Sequence, residues 1–205
     1  MSMENKRRPV VVGILIGSDT DFEVMSETGK ALEKFGIPYE LEVVSAHRTP
    51  ERAHEYATTA ASRGLKVLIA AAGAAAHLAG VIAAETTLPV IGVPMGTSAL
   101  NGLDALLSTV QMPGGIPVAT MAIDKAGAMN AGIFAAEILG TADPEIARKL
   151  VEHKKDLARS VAEKNDRLKR QLIEERGKKN RPGQMIELSR TAERLRSARR
   201  RRLEQ

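Results

Sequence analysis

Cysteine is absent from the 205-residue chain. That excludes a disulfide framework, a thiolate nucleophile and a sulfur metal site. Tryptophan is absent as well, and aromatic residues make up only 2% of the chain. The core must then be aliphatic and alanine-rich, which suits parallel strands packed closely against helices. The same scarcity removes the aromatic platform on which single-stranded nucleic acid usually stacks. No apolar run reaches the ~18 residues needed to span a bilayer. The start, Met1 to Arg8, is polar and basic with no apolar signal core behind it. These absences predict a soluble, cytoplasmic protein with no membrane association. No three carboxylates or histidines fall at metal-ligand spacing, so no metal is expected.

What is present points to one domain of ordinary size with an appendage. Hydrophobic residues form 43% of the chain, enough for a real core. The net charge of +5 is unevenly divided. Residues 1–150 carry 12 Lys and Arg against 16 Asp and Glu, a net of −4. Residues 151–205 carry 18 against 9, a net of +9. This split marks a boundary near residue 150. The run Arg199-Arg200-Arg201-Arg202 reads as a solvated basic tail, and nucleic acid is not expected as a partner.

In chain order, Pro9 to Ile16 is a nearly continuous β-branched run, predicted as a strand buried on both faces. A turn at 17–21 leads into a helix with Phe22, Met25, Leu32 and Phe35 at helical spacing, closed by Gly36. Further strands are predicted at Tyr39 to Val44, Lys66 to Ala70, Pro89 to Val93 and Pro117 to Ala122. Helices fall between them at Pro50 to Arg63, to about Glu85, and at Asn101 to Val110. An alanine-rich helix, Ala126 to Leu139, follows the last strand. Five strand–helix alternations predict a parallel sheet covered by helices on both faces. After Asp143-Pro144, Ile146, Leu150, Leu157, Val161, Leu168 and Leu172 form one stripe, broken by His153 and Lys164. A long helix with one apolar edge usually packs on a partner. A break is predicted at 176–183, and Met185 to Leu203 could form a second helix. The expected organisation is a flexible N-terminus (1–8), an α/β catalytic domain (9–142), a C-terminal helix packing on a neighbouring subunit (143–175) and a basic extension (176–205).

In such sheets ligands bind outside the carboxyl ends of the strands. Four loops meet that condition, at 17–21, 45–49, 71–77 and 94–100, and they carry Ser18, Asp21, Ser45, His47, Arg48 and His77. Ser45-Ala46-His47-Arg48-Thr49-Pro50 is the densest of them. Serine and arginine can hold an anion, and histidine can move a proton near neutral pH. As a mere strand-to-helix turn, the same residues would place Thr49 as N-cap and Pro50 in the first turn. Gly17-Ser18-Asp19-Thr20-Asp21 lacks the Lys of a Walker A loop and the three glycines of a dinucleotide fingerprint. Ser18 at a helix N-terminus could still bind phosphate. Asp21 could take ribose hydroxyls or simply favour that helix end. Ala70 to His77 is rich in small residues, permitting close backbone approach to a flat ligand or merely tight helix–sheet packing. His54 and His153 are expected to be structural, and Asp124 and Lys125 are left without a role.

Four motifs occur together in order: Gly17-Ser18-Asp19-Thr20-Asp21, Ser45-Ala46-His47-Arg48-Thr49-Pro50, Gly73-Ala74-Ala75-Ala76-His77-Leu78, and Gln111-Met112-Pro113-Gly114-Gly115-Ile116-Pro117-Val118-Ala119-Thr120. This set resembles the class I PurE family, the N5-carboxyaminoimidazole ribonucleotide mutases of purine biosynthesis, over about residues 10–160. The resemblance implies a three-layer α/β/α sandwich on a five-stranded parallel, flavodoxin-like sheet. It also implies a homo-octamer with no metal or organic cofactor, and a functional link to the ATP-dependent synthase that makes the labile carbamate. Residue by residue, Ser18, Asp21, Ser45 and Arg48 match the positions that hold the substrate's phosphate and ribose. His47 matches the general acid/base, and His77 and the backbone from Gly73 match the loop beside the imidazole ring. The family usually has Trp at Phe22, Gly at Ala74 and Pro at Ala79, and the loop Met95-Gly96-Thr97-Ser98 differs from its commoner forms. Two rival readings are direct carboxylation of aminoimidazole ribonucleotide by free carbon dioxide, as in class II enzymes, and a non-enzymatic nucleotide- or RNA-binding module.

Overall fold

The computed structural model describes residues 9–179. The N-terminal segment 1–8 and most of the 176–205 extension, with its second helix, lie outside the described residues. Five parallel strands form one sheet in the order β2-β1-β3-β4-β5. They are β1 (Val12–Ile16), β2 (Tyr39–Val43), β3 (Val67–Gly73), β4 (Val90–Met95) and β5 (Ala119–Thr120). The helices are α1 (Phe22–Phe35), α2 (Pro50–Ala60), α3 (Leu78–Glu85), α4 (Leu103–Val110), α5 (Asp124–Gly140) and α6 (Pro144–Lys179). The described residues divide into two units, one ending at Val151 and one beginning at Glu152.

The central strands are buried on both faces, which is why they lack alternation. One core layer joins Ile14, Ile16, Val67, Ile69 and Ile91 to Met25, Leu32 and Phe35 of α1 and the alanines of α5. The opposite layer joins Leu15, Leu68 and Ala70 to Ala53, Tyr56 and Ala57 of α2 and Leu78 and Ile82 of α3. Alanine is abundant in α5 because α1 lies very close. Thr28 Oγ1 donates to the Ala128 carbonyl at 2.7 Å, and a Cβ added at Gly132 would meet Ala31 Cβ and Thr28 O at 2.8 Å. Edge strand β2 is only partly buried, and Glu40 there accepts from Tyr56 Oη and Arg63 Nη1, both at 2.6 Å. Burial, and then the hydrogen bond to that carboxylate, push the Tyr56 hydroxyl above the ordinary phenol value.

Several boundaries differ from the sequence expectation for local reasons. Helix α4 starts at Leu103 because Asn101 and Gly102 both have left-handed backbone, with φ of +51° and +84°. Strand β5 is only two residues long, against the six predicted, since it pairs with β4 through just Ile91↔Ala119 and Gly92↔Thr120. Helix α6 runs through Gly177 to Lys179, where a break at 176–183 was predicted. One glycine costs a helix only about 1 kcal/mol, and the flanking Glu, Arg and Lys residues are good helix formers. The apolar stripe of α6 is also divided. Ile146 and Leu150 pack into the core of the first unit, whereas Leu157, Val161, Leu168 and Leu172 are exposed.

Candidate active site

Reversal of strand order at β1 and β3 leaves a crevice at their carboxyl ends, the usual place for a ligand in an open α/β sheet. After β1, Ser18 caps a single 3₁₀ turn, Asp19–Asp21, its Oγ accepting from Thr20 Oγ1 at 2.9 Å. Asp21 is only 4% exposed. Burial pushes its carboxyl above the ordinary carboxylate value. Hydrogen bonds from the Ser18 backbone and Thr20 oppose that rise, and the charges of Asp124 and Asp19 reinforce it.

The second loop is closed on itself. Ser45 N–H donates to Thr49 Oγ1, and that hydroxyl donates to the Ser45 carbonyl, both at 3.0 Å. The Thr49 side chain therefore makes no N-cap bond to α2, contrary to the simple turn reading. Closure brings Arg48 back over Ser45, whose Oγ accepts from Arg48 N–H at 3.2 Å. Arg48 Nη2 also donates to the Gly17 carbonyl at 2.9 Å. The guanidinium thus ties the loops after β1 and β2 together and stands exposed beside Ser18 and Ser45.

His47 lies 2.8 Å from His77, Nε2 to Nδ1, with the rings edge to face at a centroid distance of 4.9 Å. At that separation one nitrogen must donate and the other accept, so the two facing nitrogens hold a single proton. His47 Nδ1 remains for a ligand. A cavity of about 330 Å³ is lined by Ser18, Asp21, Ser45, His47, Arg48, Gly73 and Thr97, among others. His77 is not part of that lining. The structure gives it instead as the exposed hydrogen-bond partner of His47.

Two features of the wall were not among the predicted site residues, although the sequence marked their loops. Thr97 reaches the cavity from the loop after β4, and a Cβ added at Gly73 would overlap its Oγ1. Ala74 has φ of +51°, a left-handed conformation that disfavours any residue with a Cβ. A larger groove of about 630 Å³ runs past β5 near Thr86–Ile91 and Ile116–Ala119, but no ionisable side chain lines it.

Serine and arginine side chains that can hold an anion, a buried carboxylate that can accept from hydroxyl groups and a histidine pair that can move a proton thus meet at one crevice of an α/β protein. The model of the AIR carboxylase family matches residues 11–160. A Pyrococcus horikoshii protein named N5-carboxyaminoimidazole ribonucleotide mutase is 57% identical over 168 residues, 82% of this chain and 94% of its own length. A Thermotoga maritima protein of the same name is 60% identical over 157 residues, covering 77% and 91%. The solved structure of Treponema denticola PurE aligns with a TM-score of 0.70 and 28% identity, covering 78% of this chain and 98% of that one. The chain belongs to the AIR carboxylase family.

Proposed function

We propose that the chain is a mutase of purine biosynthesis, converting N5-carboxyaminoimidazole ribonucleotide to 4-carboxyaminoimidazole ribonucleotide. The observation that carries this reading is one cavity lined together by His47, Ser45, Arg48, Ser18 and Asp21. Arg48, Ser45 and Ser18 take the 5′-phosphate, and Asp21 accepts from the ribose hydroxyls. Tethering the sugar phosphate brings the imidazole ring to His47, which supplies the orientation term of catalysis.

His47 protonates the carbamate nitrogen as its bond to the carboxyl carbon breaks. Carbon dioxide and aminoimidazole ribonucleotide result. Ring carbon 4 then attacks the carbon dioxide, and His47 removes the proton displaced from that carbon. The proton ends where it began, so one histidine serves both steps and nothing else is consumed. His77 holds the His47 ring through the 2.8 Å contact and fixes which nitrogen carries the proton. The small residues Gly73 to Ala75 leave room for carbon dioxide against the wall.

The chain acts as a cytoplasmic homo-octamer receiving its substrate from an ATP-dependent synthase. Assembly is supported by Leu100, Leu103, Leu107 and Val110, all exposed around α4. The deciding experiment supplies the purified protein with N5-carboxyaminoimidazole ribonucleotide and isotopically labelled dissolved carbon dioxide, without ATP or biotin. Conversion without label incorporation is the expected result. Label entering the product in proportion to the dissolved pool would instead establish direct carboxylation.

A further inference from the structure

The loop after β4 is held by a residue outside the cavity. Asp124 is the first residue of α5 and has a left-handed backbone, φ +57°. Aspartate tolerates that region better than most residues with a Cβ. Its half-buried carboxylate accepts the Gly96 backbone N–H at 2.7 Å. The fit is close on both sides. A Cβ at Gly96 would meet Asp124 Oδ2 at 2.5 Å, and a Cβ at Gly102 would meet Gly96 Cα at 3.0 Å and Ile123 Cγ2 at 2.7 Å. Gly96 is followed by Thr97, whose hydroxyl fills the space that a side chain at Gly73 would occupy. Further along, Ser98 Oγ donates to Asp104 Oδ1 at 2.8 Å, anchoring the other end of the same short segment.

We propose that Asp124 is a positioning residue: by binding Gly96 it fixes Thr97 against Gly73 and so sets one wall of the nucleotide cavity. It does not itself line the cavity; its hydrogen bond reaches a ligand through the Gly96–Thr97 segment, a route distinct from the charge it places near Asp21. The assignment of a nucleotide to that cavity rests on the reaction proposed above, but the loop geometry does not.

The test uses the full chain with Asp124→Gly and Asp124→Asn. Glycine accepts the left-handed backbone freely, so the fold is kept while the acceptor and its charge are both lost. Asparagine keeps an Oδ1 acceptor and tolerates the same backbone while removing the same charge. The two variants together separate the hydrogen bond from the charge. In Asp124→Gly the Gly96 amide should exchange with solvent about tenfold faster or more, the scale of one lost hydrogen bond to a charged group. KM and the dissociation constant for 4-carboxyaminoimidazole ribonucleotide should rise by about the same factor. The rate constant kcat should hold within about threefold, because the segment carries no proton-transfer group. Asp124→Asn should restore both readouts to within about threefold of wild type. Wild-type exchange at Gly96 in Asp124→Gly, or an Asn variant as impaired as the Gly variant, would overturn the proposal. A wild-type chain without mutase activity would count against the reaction alone, since exchange at Gly96 still decides the loop.

Discussion

Replacing Arg48 by lysine keeps a positive charge in the cavity and removes a fork. In the structure the guanidinium uses Nη2 on the Gly17 carbonyl at 2.9 Å and Nε on Ser45 Oγ at 3.4 Å. Its remaining N–H groups stay available for a phosphate, and the planar fork lets one residue serve loop and ligand together. A lysine ammonium carries its three N–H donors on one nitrogen and lacks the planar fork. It must leave the Gly17 carbonyl to meet the phosphate, or reach the phosphate with poorer geometry. The loss is about one hydrogen bond to a charged group, about 1.5–3 kcal/mol. That corresponds to a roughly 10- to 150-fold weaker complex. Calorimetric titration with 4-carboxyaminoimidazole ribonucleotide measures it directly. Inorganic phosphate should compete with the nucleotide in the wild type and much less in Arg48→Lys. Unchanged nucleotide affinity in the lysine variant would remove Arg48 from the anion site.

Three further outcomes follow from the same geometry. Ala74→Gly relieves a left-handed alanine on the cavity wall and should stabilise the fold by about 1 kcal/mol, raising Tm by roughly 2–4 °C. Asp21 is protonated in both states below its ordinary value of 3.8, and above that its raised folded value makes ionisation costly to the fold. Asp21→Asn should therefore unfold at higher denaturant than wild type at pH 7, lose that advantage as pH falls to the ordinary carboxylate value, and bind the nucleotide less well. Light scattering at micromolar concentration should give a homo-oligomer, and a monomer there would contradict burial of Leu100, Leu103, Leu107 and Val110 between subunits.

The fold was legible wherever burial and turn chemistry agree along a contiguous stretch. The unbroken Val10 to Ile16 run encodes a central strand, and Gly36 ends α1 in a left-handed C-cap with φ +73°. Edges were less legible. The length of β5 depends on how far its single neighbour extends, and the start of α4 depends on two left-handed residues. Ser18, Asp21, Ser45, His47 and Arg48 could be grouped because parallel topology sends every strand-end loop to the same side. The partners His47 and His77 lie thirty residues apart in sequence, and they meet because β2 and β3, which lead to them, both flank β1. Thr97 and Asp124 carry no motif at all, and their roles come from contacts between loops that sequence periodicity does not describe.

The central claim is that His47 moves the proton in both half-reactions while its neighbours hold the substrate. Asparagine at this position retains polarity but cannot transfer a proton at neutral pH. The decisive measurement pairs product affinity by calorimetry with mutase rate by absorbance in His47→Asn. Affinity should stay close to wild type, and turnover should fall by about 10²–10⁴-fold, the usual scale of general acid–base catalysis. A variant that binds normally and keeps more than about a tenth of wild-type turnover would contradict a proton-transfer role for His47.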